Sequence, residues 1–237
     1  MPLLYYFLLF ITIVLSGISI FAFKKIQPRT LKLMLSFSGA YLFALTVLHL
    51  IPEVYTAGKG TAGAFILLGF FIQILLEIFS EGIEHGHIHI HKKQNAAFPY
   101  GMIMGLCLHS FLEGMPLVQR FGESSTQNSL LTGIILHHIP VAVALMSMLL
   151  DSGIKKSSAI FFLVMFAIMA PLGAFTSSIF GESGNDLSVY FNAMMAIVIG
   201  IFLHISTTIL FESSEHHRFN YLKFFIILLG AGLAMLS

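Results

Sequence analysis

Eight apolar stretches, most of them close to twenty residues long and separated by short polar connections, account for most of this sequence. They run Leu3–Phe23, Leu33–Pro52, Gly63–Phe79, Phe98–Val118, Ser129–Leu150, Ser158–Phe180, Leu187–Leu210 and Tyr221–Leu236. A helix rises 1.5 Å per residue, so about twenty apolar residues cross the roughly 30 Å hydrocarbon core of a bilayer. Only a structure that satisfies its own backbone can do so, and for stretches of this length that structure is the α-helix. The expected fold class is therefore an all-α integral membrane protein with eight transmembrane helices, and the first partner is the lipid bilayer. Composition agrees. Hydrophobic residues make up 57% of the chain, charged residues 10%, and the mean hydropathy is +0.91, whereas soluble domains carry about 25% charged residues. A net charge of +1 gives no electrostatic footprint for a nucleic-acid partner. The one cysteine, Cys107, excludes an internal disulfide. No polar stretch is long enough for a second domain, so residues 1–237 read as one transmembrane domain with a histidine-rich loop at about 82–97.

Lysine and arginine set the orientation. Lys24, Lys25, Arg29 and Lys32, then Lys92 and Lys93, Lys155 and Lys156, and Arg218 and Lys223 fall in alternate connections, and the opposite connections hold only Lys59 and Arg120. The first set is expected in the cytosol. Both termini then lie outside a cell membrane crossed eight times. Lys24 and Lys25 follow the first apolar stretch rather than precede it, the reverse of a signal peptide, so that stretch is expected to be retained.

Five of the eleven histidines fall inside the apolar stretches: His49, His109, His137, His138 and His204. Ionisable groups at membrane depth are expensive by a few kcal/mol each and characteristically face a bundle interior or a substrate path. His109 and Glu113 are four residues apart in the fourth stretch, which sets them on one helical face. Imidazole with carboxylate suits a divalent transition metal. His137 and His138 stand three and two residues before Pro140 at similar depth in the fifth. Pro140 donates no hydrogen bond and frees the carbonyl of Leu136, so an interrupted helix beside the imidazoles is expected. The competing reading makes these residues interhelical hydrogen-bonding groups. Three histidines and a glutamate at one depth weigh against it. His49 and Glu53, four apart near the outer end of the second stretch, read either as an entry funnel or as a helix-end hydrogen bond. His204 reads either as an exit ligand or as packing. Glu77 and Glu81 sit where the third stretch ends. Glu84 to His91, with histidine at 85, 87, 89 and 91, is a metal-binding tract by composition.

These residues resemble the ZIP (Zrt/Irt-like) divalent metal transporters. His109, Ser110, Glu113 and Gly114 match the family's fourth-helix pattern, His137 and Pro140 its fifth, His49-Leu50-Ile51-Pro52-Glu53 the end of its second, and Pro171-Leu172-Gly173-Ala174 a segment of its sixth. The histidine-rich loop is similar too. The resemblance implies a bundle in which helices 1–3 and 6–8 form an inverted repeat around helices 4 and 5, with zinc or a similar divalent cation as the transported substrate. This sequence departs from the pattern at His138, Val141, Ala142 and Ala170, most of which replace acids or leave only Glu113 as a carboxylate in the cluster. One well-formed site is therefore expected, with His109, Glu113 and His137 as ligands and His138 and Ser110 as parts of a weaker second position.

The expected function is transport of a divalent cation, zinc by the imidazole-rich ligand set, into the cytosol by alternating access. A homodimer is a candidate assembly. No Gly-x-x-x-x-Gly-Lys nucleotide loop occurs, and no enzymatic cofactor is expected. Two alternatives stay open. An intramembrane zinc hydrolase would need three ligands, an open position and a general base. A metal-sensing receptor would bind without flux.

Overall fold

A computed structural model describes residues 3–22, 27–57, 60–80, 82–83, 100–118, 124–181, 188–212 and 221–237. The described residues form nine helices: α1 (Leu3–Ile18), α2 (Pro28–Leu45), α3 (Ile51–Ala57), α4 (Ala62–Ser80), α5 (Tyr100–Gly114), α6 (Ser124–Asp151), α7 (Lys156–Gly181), α8 (Ser188–Glu212) and α9 (Tyr221–Met235). Seven spans are long and apolar enough to cross a membrane, α2 and α3 counting together as one rod from Pro28 to Thr56. The fifteen residues of α9 are apolar but short. They reach about 22 Å at 1.5 Å per residue.

Local chemistry explains where the helices differ from the apolar stretches. Proline at the first helical position fits without loss of a hydrogen bond, and α2 opens on Pro28, five residues earlier than hydropathy suggests. Pro52 cannot donate to its ladder, and a π turn at Thr46–Leu50, which includes His49, precedes it. Pro116 accompanies a tightening of the end of α5 into a 3₁₀ turn, Met115–Val118. The helix α6 starts at Ser124, in a polar segment that hydropathy assigns to a connection. Gln127 there donates from Nε2 to the Leu117 carbonyl (2.6 Å), tying the start of α6 to the end of α5.

The interior holds two clusters of buried apolar residues. Leu31 and Leu35 of α2, Met102 to Cys107 of α5, Val141 to Leu149 of α6 and Leu163 and Phe166 of α7 belong to one core. Tyr41 to Leu50 of the second span, Leu117, Leu130, Leu131 and Ile134 of α6 and Ala174 of α7 belong to the other. The second span, α6 and α7 contribute to both. Between these positions in sequence on α5 and α6 lie His109, Ser110, Glu113, His137 and His138, all buried. The outward faces of α1 and α4, including Phe7, Leu15, Phe71, Leu75 and Ile78, are apolar and exposed. Such a continuous exposed apolar surface requires lipid rather than water.

Candidate metal centre

His109 and Glu113 stand one turn apart on α5, with His109 Nε2 3.1 Å from Glu113 Oε1. The other carboxylate oxygen, Oε2, is 3.6 Å from Nε2 of His138 on α6. His138 is held at both nitrogens. Its Nδ1–H donates to the Ile134 carbonyl (2.9 Å), and its Nε2 accepts from the Ser110 hydroxyl (3.1 Å). Its ring stacks on Phe166 of α7 at 5.3 Å between centroids. His137, the preceding residue on α6, is rotated about 100° around the helix and meets His109 edge to face at 6.1 Å. One ligand atom from each of His109, Glu113 and His137 lies within 4.8 Å of the other two.

The chemistry of this donor set suits a divalent cation. A lone buried carboxylate without a compensating charge is unfavourable by several kcal/mol, and Glu113 is the one fully buried acid among the described residues. Two imidazoles and a carboxylate oxygen leave one position open around a tetrahedral ion, the arrangement of an exchangeable zinc site. Bonds of about 2.1 Å place tetrahedral ligands roughly 3.4 Å apart, and the His109–Glu113 pair at 3.1 Å is already near that spacing. Val141, one turn beyond His137, and Ala170 on α7 are buried and apolar, so neither adds charge.

Two glycines hold the site against α7. A methyl group at Gly114 would overlap the Ala170 carbonyl oxygen, and one at Gly173 would overlap that of Phe111. The α5 and α7 backbones are therefore in direct contact beside Glu113, as small residues permit in membrane bundles.

With this geometry the sequence comparison is decisive: the family model described as ZIP zinc transporter matches residues 87–237. The chain belongs to the ZIP zinc transporter family. It is 28% identical over 171 residues to the protein zntD of Dictyostelium discoideum, covering 66% of this chain and 25% of that protein. It is 30% identical over 207 residues to the zinc transporter YKE4 of Saccharomyces cerevisiae, covering 76% and 60%. It is 25% identical over 151 residues to the zinc transporter ZIP9-B of Xenopus laevis, covering 61% and 50%. The chain thus spans a quarter to three fifths of the length of these relatives.

Within this ZIP chain the remaining expected residues are dispersed. His49 lies in the π turn and donates from Nε2 to the Ala234 carbonyl of α9 (3.3 Å). Glu53 sits one turn on, at the start of α3. His204 of α8 meets Glu77 of α4, Nε2 to Oε2 3.4 Å, and packs edge to face on Phe70. Among the described residues, His109, Glu113 and His137 are the one group of three metal-ligating side chains. Pro140 differs from expectation. It lies inside an uninterrupted helix from Ser124 to Asp151, because the loss of one ladder bond is absorbed where neighbouring helices pack on both sides. Glu81 and the histidine tract at 84–91 fall outside the described residues.

One residue was missed by motif. Gln73 of α4 is fully buried, and its Oε1 accepts from His109 Nδ1–H at 3.1 Å. The signal was present: Gln73 is an amide in the middle of the apolar run from Ala62 to Ser80, a polar group with no reason to be there unless another helix satisfies it.

Proposed function

We propose that this protein carries a divalent cation, zinc by the character of its ligands, across the membrane into the cytosol, and that the ion's station is His109, Glu113 and His137 between α5 and α6. His138 and Ser110 form a weaker adjoining position. The observation that carries this reading is the burial of Glu113 among three imidazoles with one turn of α5 and two consecutive residues of α6 converging on it.

Burial supports alternating access. The donor side chains are at most 1% exposed, with buried apolar residues packed above and below them along α5 and α6. An ion reaches such a site only if the packing around it opens, and in the proposed cycle it opens to one side of the membrane at a time. In this cycle His49 and Glu53 belong to the outer approach, and His204 with Glu77 to the inner one. The histidine-rich loop, about 82–97, is a cytosolic segment of the single transmembrane domain.

The eight-span architecture has α9 as its last crossing. Helix pairing supports an inverted repeat of spans 1–3 and 6–8 around spans 4 and 5. The pairs α4 with α8 and α2 with α9 exchange with one another under that repeat, as do α5 with α7 and α1 with α6, and all four are principal contacts of the bundle. The orientation, with both ends of this sequence outside, is supported by Lys156, at the start of α7, lying over the Phe21 ring (5.4 Å), which brings two of the basic connections to one end. Lys223 likewise donates to the Leu210 carbonyl near the end of α8 (3.0 Å).

A hydrolase would need a base beside the ion, and the one carboxylate of the cluster is itself a ligand. Zinc uptake into proteoliposomes tests the proposal. Flux should vanish in His109→Ala and Glu113→Ala while the proteins remain folded. Zinc binding without flux in the unmodified protein would make it a sensor, and unchanged flux in both variants would remove the site.

A further inference from the structure

We infer that Gln73 is the positioning residue of the metal centre: its amide sets which nitrogen of His109 carries the proton, and by turning over it lets the ring alternate between hydrogen-bonding Glu113 and binding the cation. This rests on His109 being a ligand. The amide oxygen of Gln73 can only accept, so the 3.1 Å contact requires the proton on Nδ1 and leaves a lone pair on Nε2 of the neutral ring. That lone pair then faces Glu113 Oε1 at 3.1 Å. Two acceptors at this distance repel each other unless a cation lies between them. The arrangement is the one a metal needs, with both donors aimed at one point.

Without the ion the same side chains have a second arrangement. Gln73 Nε2 is buried and, among the described residues, has no hydrogen-bond partner. Rotating the amide by half a turn exchanges its oxygen and nitrogen, groups of nearly equal size, and breaks no other bond. Nε2–H of Gln73 then donates to His109 Nδ1, the ring proton moves to His109 Nε2, and that N–H donates to Glu113 Oε1. The number of protons bound is the same in both arrangements, and so is the charge. Glutamine is suited to this position because it offers both a donor and an acceptor. Glutamate would only accept and leucine would do neither.

The backbone holds Gln73 in reach. Gly69, one turn earlier on the same face of α4, sits against the Ile197 backbone of α8, where a methyl group would clash. Gly105, one turn before His109 on α5, would set a methyl group 3.1 Å from the Leu76 carbonyl of α4. Both contacts fix α4 against its neighbours at the height of the amide.

The test compares Gln73→Leu, Gln73→Glu and His109→Ala by zinc titration calorimetry in detergent and by initial rates of uptake into proteoliposomes. Nitrogen-15 NMR of the His109 ring with and without zinc reads the tautomer in the unmodified protein. Gln73→Leu should weaken zinc binding and raise KM by roughly 10- to 100-fold, the usual effect of losing the partner that orients a ligand. Gln73→Glu, nearly isosteric, should move the other way, with tighter binding and a lower maximal rate because the receptive form is locked. The free ring should carry its proton on Nε2 and the zinc-loaded ring on Nδ1. A purely structural role predicts no opposed shifts. Zinc affinity within twofold of the unmodified protein in Gln73→Leu, with His109→Ala inactive, would overturn the inference and leave the metal centre standing. Should Gln73→Leu fail to fold, unchanged or weaker binding in Gln73→Glu overturns it equally. Intact binding in His109→Ala would overturn the centre and the inference together.

Discussion

Two histidine–glutamate pairs of the described bundle, each the contact of a different glutamate, differ in what surrounds them. His109 and Glu113 share one helix, lie 3.1 Å apart and are 1% and 0% exposed. His204 and Glu77 join two helices, lie 3.4 Å apart and are 10% and 29% exposed. The second pair is partly exposed at the surface of the bundle, so it is less enclosed by protein. The first has only protein around it, with two further imidazoles on the same carboxylate. A polar group buried to that extent is a net burden on folding unless something compensates it. Depth therefore separates the pair proposed to hold the ion from the pair that joins α4 to α8.

The comparison breaks most completely if the buried pair loses its backing. Valine at Gly114 would collide with the Ala170 carbonyl and force α5 from α7, and backbone cannot yield as a side chain tip can. Overpacking of this kind is unfavourable by about 1–3 kcal/mol and sometimes more. Gly114→Val should therefore lose most folded protein by size-exclusion chromatography and all zinc uptake. Gly232→Val, at a position with no atom within 4 Å of the added Cβ, should behave as the unmodified protein. Equal behaviour of the two variants would mean that the close α5–α7 contact does not hold the site.

A smaller change sharpens the distinction without touching the fold. Glu113→Gln keeps the shape and removes the charge. Zinc affinity should fall by more than the roughly 10- to 100-fold typical of outer partners, since this is the only carboxylate of the cluster. The metal-free protein should be as stable as the original or more so, because a buried charge has been removed. Calorimetric titration and thermal denaturation in chelator read the two effects separately. A metal-free Tm lower by several degrees would make Glu113 a structural residue.

Much of this was legible in the sequence because membrane solvation imposes strict rules on residue order. The all-helical membrane class, the seven long apolar spans and the interior placement of His109, Glu113, His137 and His138 all follow from where charges can and cannot lie in lipid. Three features were less legible, for different reasons. The π turn at Thr46–Leu50 and the unbroken helix through Pro140 show that a proline states which bond is lost and leaves the packing around it to decide how the backbone responds. The start of α6 at Ser124 shows that hydropathy reports the depth of lipid, while helices extend beyond it. Gln73 contributes from a third helix, thirty-six residues before His109, and spacing within α5 or α6 holds no information about it.

The smallest effect belongs to the more exposed pair. Glu77→Gln removes a carboxylate that is 29% exposed, and partly exposed ion pairs contribute about 0.2–1 kcal/mol. A double-mutant cycle with His204→Ala in thermal or chemical denaturation should give a coupling within that range and decreasing as salt is raised. Equilibrium zinc affinity should be unchanged, because neither residue touches the central cluster. If the pair lies on the inner approach, uptake should slow by no more than about fivefold, the factor that 1 kcal/mol represents. The slowing should appear in the maximal rate rather than in KM, since it acts after the ion has been bound. The contrast fails if Glu77→Gln lowers zinc affinity as far as Glu113→Gln does. Exposure would then have nothing to do with which pair holds the ion, and the inner pair would have to be counted as part of the same site.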